Sequence, residues 1–184
     1  MTSTELTVPG FLAGTWTIDP VHTDAAFTVR HLGVSKVRGR FDDVQGTIVT
    51  AENPLESKVE AVISTASVNT ANKMRDDHVR NEDFLDVEKH PTMTFSSTGI
   101  RIEDEETFLV DGHLTLKGIT KPVTLTLEIG GFGDHYQGGK VAGFSASTEI
   151  SRADFGVTGG AAGAAVSDKI RITLDIEALS PDAA

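Results

Sequence analysis

Six histidines are the first residues to weigh for chemistry: His22, His31, His78, His90, His113 and His135. Imidazole serves metal binding and acid–base catalysis, but each use needs partners at set spacings. No HExxH run and no calcium-binding loop occurs. His22-Thr23-Asp24 sets a His and an Asp on one face of a strand, yet two ligands close no site and the sequence names no third. His31 precedes Leu32-Gly33, where holding a turn is its simplest role. A serine hydrolase needs a GxSxG turn, which is missing; Ser96, Ser97, Ser145 and Ser147 fall inside strand-like runs. Gly159-Gly160-Ala161-Ala162-Gly163 lacks the strand and helix of a phosphate-binding fingerprint and reads as a flexible loop. Arg75-Asp76-Asp77-His78 with Arg80 leaves two readings open, a solvated helix face or a polar gate at the mouth of a barrel. Arg152-Ala153-Asp154-Phe155-Gly156 reads as a corner closing a strand, with Arg152 and Asp154 on one face and able to pair.

The elements that position these residues are strands. Val123, Leu125, Leu127 and Ile129 alternate with polar residues, and so do Ile170, Ile172, Leu174 and Ile176. Weaker alternation runs over 108–116, 144–150 and 59–68. Thr92–Phe95 follows Pro91, and 16–18, 26–30 and 40–50 read as strands near the N-terminus. Turn signals separate them at Asn53-Pro54 and Lys117-Gly118, and Gly130-Gly131 with Gly138-Gly139 bracket an expected loop. Asn72–Lys89 breaks the pattern with charges and i, i+4 apolar pairs; one or two short helices covering a barrel end are expected. The expectation is one all-β domain over residues 14–180, an antiparallel barrel with a helical insertion, after a loose tail over residues 1–13.

Composition narrows the function classes. The chain has 184 residues and a formal net charge of −11, which argues against nucleic acid and against electrostatic docking on anionic headgroups. It has no cysteine, so disulfides, thiol nucleophiles and iron–sulfur clusters are excluded. No apolar run is long enough to span a bilayer as a helix, so no membrane insertion is expected. Met1–Gly10 shows neither a basic nor an apolar leader region, so a cytoplasmic location is expected.

An ordered string of motifs resembles the YceI-like family of lipid-binding barrels. It runs Trp16-Thr17-Ile18-Asp19-Pro20-Val21-His22, then Phe27-Thr28-Val29-Arg30-His31-Leu32-Gly33, then Gly39-Arg40-Phe41 and Gly46. Arg75-Asp76-Asp77-His78, Asp83-Phe84-Leu85-Asp86-Val87, His90-Pro91 and Thr94-Phe95-Ser96-Ser97 follow. Gly112–Val123, Gly143-Phe144 and Ile150–Gly156 complete it, so the resemblance covers about Gly14 to Leu179. It implies a lipocalin-like antiparallel β-barrel of about eight strands that holds a polyisoprenoid or fatty-acid-like chain in an apolar tunnel. It brings no catalytic centre, cofactor or metal, and it implies that a homodimer is frequent. Thr23 stands where the family usually has Ser, which keeps the hydroxyl. Many relatives are exported, whereas this chain shows no leader pattern.

Within such a tunnel, alternation nominates the lining. Phe27 and Val29 share a face, and Phe41, Val44 and Ile48 supply the next wall if strand twist turns Phe41 inward. Met93 with Phe95, Leu114 with Leu116, Phe144 with Ala146, and Ile172 with Leu174 add further apolar faces. His31, Arg75, His78 and Arg152 are the candidates to meet a polar head, suited to a phosphate or carboxylate. The leading reading is a non-enzymatic carrier or reservoir for a long-chain lipid. One rival is a filled barrel acting as a structural or protein-interaction module. Another is an enzyme on hydrophobic substrates, needing an inward pair such as His31 with Asp24 or Arg75 with Asp154. A porphyrin site with His31 or His78 as axial ligand is a smaller rival.

Overall fold

A computed structural model describes residues 8–183. The alternating segments form β1 (Gly14–Ile18), β2 (Asp24–His31), β3 (Ser35–Phe41), β4 (Val44–Thr50), β5 (Lys58–Ser64) and β6 (Val68–Asn69). After α1 (Lys73–Arg80) come β7 (Thr92–Ile102), β8 (Thr107–Leu116), β9 (Ile119–Asp134), β10 (Lys140–Ser151) and β11 (Lys169–Leu179). All pairings are antiparallel, in the order β1-β4-β5-β7-β8-β9-β10-β11, and β1 pairs back onto β11 to close the ring. Closure leaves the ring without a free edge.

The ring has eight staves, because three of them are broken strands. Ala25 faces Phe41 and Thr17 faces Thr47, so β1 with β2 lies along β3 with β4. Phe41 faces Val68 and Val44 faces Ile63, so the next stave is β5 with β6. The 40–50 run expected as strand is therefore interrupted at Asp42-Asp43, and the 59–68 run at a 3-10 turn over Thr65–Ser67. Backbone bonds from Asp42 N to Ser67 O (3.1 Å) and from Ser64 N to Asp43 O (3.0 Å) hold the breaks side by side.

Other local departures have local causes. Gly130-Gly131 does not open a loop; β9 runs on to Asp134, and the pair is absorbed as a bulge where β10 shifts register between Gly143 and Phe144. Lys117-Gly118 is the tight turn expected, with both φ angles positive (51° and 77°). The Lys117 ammonium offsets that strain by donating to the Glu82 carbonyl at 2.8 Å. Asn72–Lys89 holds one helix, α1, capped by the Asn72 side chain accepting from Arg75 N; the remainder is turns. The glycine-rich stretch and the Arg152 corner are both short 3-10 helices.

Two apolar clusters make up the core, and most of their side chains face the inside of the barrel. One is centred on Trp16, which is 2% exposed and donates from Nε1 to Thr50 Oγ1 at 2.8 Å. Of the tail expected to be loose, residues 1–7 lie outside the described residues. Phe11 meets the Phe132 ring edge-on at 5.3 Å, and Leu12 packs on the Trp16 cluster.

Candidate functional site

Walled by residues of both clusters, the barrel holds a cavity of about 520 Å³. Small-molecule sites span roughly 300–1,000 Å³. The lining reaches from His31, Val37, Arg75 and His78 at one end to Phe11, Pro54 and Lys58 at the other, so the space runs along the barrel. Strand alternation makes it apolar, since each stave turns every second residue inward. Phe27, Val29, Phe41, Val44 and Ile48 all line it, as do Met93, Phe95, Leu114 and Leu116. So do Phe144, Ala146, Ile172 and Leu174. Twist does bring Phe41 inward, where its ring lies 5.6 Å from that of Phe27.

The polar candidates divide by what already occupies them. Arg75 donates from Nε to Thr70 Oγ1 (2.8 Å) and from Nη2 to the Thr70 carbonyl (2.7 Å). Thr70 in turn is held by the buried carboxylate of Asp76, through its backbone N–H at 2.8 Å and its hydroxyl at 2.5 Å. The 75–80 charges thus form a latch tying α1 to the barrel, reinforced by Arg80 donating to the carbonyls of Ala66 and Val68. His78 pairs with Asp83 at 3.0 Å and meets the Phe84 ring edge-on. His31 lines the cavity beside its bridge to Val166.

Arg152 reaches the cavity, but its donors are spent. It is 8% exposed, and its five N–H groups go to the carbonyls of Ser167, Val157, Thr158, Gly163 and Val166 at 2.7–3.0 Å. Its side chain makes no bond to Asp154; it pins the 157–167 segment, which is therefore a held loop and not a flexible one. A head group at Arg152 would have to displace a carbonyl. The two inward pairs given as examples for an enzyme do not form: His31 and Asp24 sit at opposite ends of β2, and Arg75 bonds Thr70.

A family model for the YceI-like domain matches residues 16–178 of this sequence. The chain belongs to the YceI-like family. Protein YceI of Salmonella arizonae is 44% identical over 138 residues, covering 74% of this chain and 72% of that protein. The crystal structure of the Campylobacter jejuni YCEI protein superposes with a TM-score of 0.73 at 34% identity, covering 83% of this chain and 90% of that one. A polyisoprenoid binding domain from Saccharophagus degradans, implicated in plant cell wall breakdown, has a TM-score of 0.71 at 16% identity, covering 92% and 100%. That last likeness concerns the fold.

In this YceI-like barrel, sequence reasoning passed over much of the wall. Val123, Leu125, Leu127 and Ile129 line the cavity, and so do Ile170 and Ile176. Their alternation was the clearest in the chain and is the signal that nominates them. Val79, Phe84 and Leu85 close the α1 end, as the i, i+4 pairs imply.

The wall also depends on a missing side chain. A Cβ at Gly39 would lie 2.3 Å from the Phe27 ring, whose atoms are its three nearest neighbours. The ring therefore lies flat over Gly39, directly across β2 and β3. Gly39→Ala is expected to keep the fold and to lift the ring into the cavity. Titration with a fluorescent long-chain ligand should show about tenfold weaker binding, ~1.4 kcal/mol. Unchanged affinity would mean that the ligand does not use this wall.

Outside the cavity, the His22 expectation changes partner. His22 Nδ1 lies 2.7 Å from Asp19 and 3.6 Å from Glu177, and not against Asp24. The Asp19 bond, then the Glu177 charge, raise the His22 pKa. Burial works against ionisation of Asp19, but the bonds from His22 and the Val21 amide outweigh it and hold its pKa below the usual value. His22 thus stabilises the fold fully below its unfolded value near 6.5, and the benefit fades as pH rises through the raised pKa. Asp19 contributes above its unfolded value near 3.8 and loses the benefit as pH falls through the lowered one. An NMR titration should find His22 above the ordinary histidine range, with Asp19→Asn returning it there.

Proposed function

We propose that this YceI-like chain binds a polyisoprenoid or similar long-chain lipid inside the barrel and acts as its carrier or reservoir, without catalysing a reaction. The observation that carries the reading is the apolar cavity running lengthwise through the barrel. Each CH₂ withdrawn from water contributes about 0.8 kcal/mol, so an apolar tunnel captures a long chain without directional contacts. A filled barrel has no such space. The Saccharophagus degradans domain, of the same fold, is a polyisoprenoid binding domain, which supports the ligand class. A polar or anionic head fits the His31 end, since Arg152 is fully engaged and Thr70 holds two of the Arg75 donors. A cytoplasmic location remains part of the proposal.

Mass spectrometry of an organic extract tests it. A long-chain species at near-stoichiometric yield from native protein, absent from denatured and washed protein, is the expected result. No co-purifying lipid, together with no uptake of a fluorescent isoprenoid analogue, would overturn the reading.

A further inference from the structure

We propose that the turn joining β2 to β3 docks the barrel on an anionic lipid bilayer. The net charge of −11 argues against this only if charge is spread evenly, and it is not. Residues 28–41 contain Arg30, Lys36, Arg38 and Arg40 and no Asp or Glu. Arg30 faces Lys36 and Thr28 faces Arg38, so these side chains share the outer face of one hairpin. Among the described residues Arg30, Lys36 and Arg38 make no ion pair; only Arg40 has one, with Asp42. Screening confines electrostatics to about 8 Å at physiological salt, so a bilayer touching this tip meets the basic field of the hairpin first.

The tip carries apolar side chains that nothing in the fold covers. Leu32 is 66% exposed and Val34 is 81% exposed. Leu32 also adopts a left-handed backbone, φ 53°, where Asn or Gly is ordinarily favoured. Neither turn chemistry nor burial accounts for a leucine there. The loop holds these side chains outward firmly: Leu32 N donates to Ala165 O at 2.8 Å, and Val34 N to His31 O at 3.1 Å. Met74, 81% exposed on α1, lies at the same end, next to Arg75 of the cavity wall. Two or three apolar side chains ringed by basic ones match the boundary between headgroups and acyl chains. They offer far less area than a stable protein interface needs, which favours the bilayer over a protein partner.

Docking by this tip sets the His31 and Val37 end of the cavity against the membrane. That use of the surface, lipid exchange through the mouth, rests on the lipid-binding reading; the docking itself does not.

Sedimentation of the full chain with vesicles of equal parts phosphatidylglycerol and phosphatidylcholine tests the proposal, with pure phosphatidylcholine as control. The parent is expected to bind the anionic vesicles and to be released by salt. Leu32→Ser with Val34→Ser should weaken partitioning about tenfold. Lys36→Gln with Arg38→Gln should weaken it about twenty-fivefold, at roughly fivefold per charge. All three proteins should keep the same circular dichroism and the same uptake of a fluorescent isoprenoid in vesicle-free solution. Vesicle binding by the parent that the variants lose while keeping uptake supports docking. No vesicle binding, equal binding by the variants, or equal binding to the two vesicle types overturns it. Self-association that depends on Leu32 and Val34, with no vesicle binding, also overturns it and assigns the tip to a second copy of the chain. Loss of uptake by every protein would count against the lipid-binding reading while leaving the docking result to stand.

Discussion

A chain carrying Phe27→Glu keeps its β-barrel circular dichroism and takes up a fluorescent isoprenoid at least about a hundredfold more weakly than the parent. Phe27 lines the cavity from the centre of β2 and is only half-buried, so the barrel has room for the replacement. A ligand chain laid across the new carboxylate would strip its water without offering a partner. An unpaired charge costs about 3 kcal/mol or more in such a place, which is a hundredfold in affinity. Phe95→Glu tests the opposite wall and should lose uptake in the same way. Glu128→Lys, a charge change at an exposed position of β9, should bind as the parent does. Equal uptake by all of these would remove the cavity as the binding site.

Arg152→Ala is expected to give the largest loss of stability. Five backbone carbonyls depend on one guanidinium, and three of its bonds bind the segment that follows Arg152 to the barrel's end near Val157, Thr158 and Gly163. Removing it leaves carbonyls unpaired and opens a void beside Phe155 and Val157, both nearly fully buried. A loss of about 3–5 kcal/mol should appear as a lower urea midpoint. Arg152→Lys should recover little, since an ammonium has three donors on one atom and cannot spread over five carbonyls.

The barrel was legible because period two is a strong signal. Ile170–Ile176 alternates without a break and became the continuous strand β11. The cavity wall was legible for the same reason, since inward residues are inward whether they line a space or fill one. Whether the space stays open was not legible: that is decided by how far staves stand apart, and by devices such as the Gly39 floor under Phe27. The role of Arg152 was misread because its partners are carbonyls from residues 157–167, and backbone acceptors carry no side-chain signature. Glu177 beside His22 was invisible for a related reason: 155 positions separate them, and only the pairing of β1 and β2 with β11 brings them together. The breaks at Asp42-Asp43 and Thr65–Ser67 leave short polar interruptions that alternation alone bridges over.

Those breaks lie at one height on three neighbouring staves, at residues 19–23, 42–43 and 65–67; β7 begins at that level, with Thr92 opposite Ser64, while on the other flank β11 runs past it uninterrupted, pairing with β1 at Ile18 and with β2 at Asp24. The barrel is therefore stiff on one side and jointed on the other, like a tube scored along part of its circumference. Beyond the joint β2, β3 and β6 with α1 stay tied to the rest of the ring, since β2 is laddered to β11 from Asp24 opposite Asp175 to Thr28 opposite Arg171. The seam that a bulky guest would have to part on the jointed side is therefore the β2–β11 ladder, which is shorter than any ladder between β7 and β11.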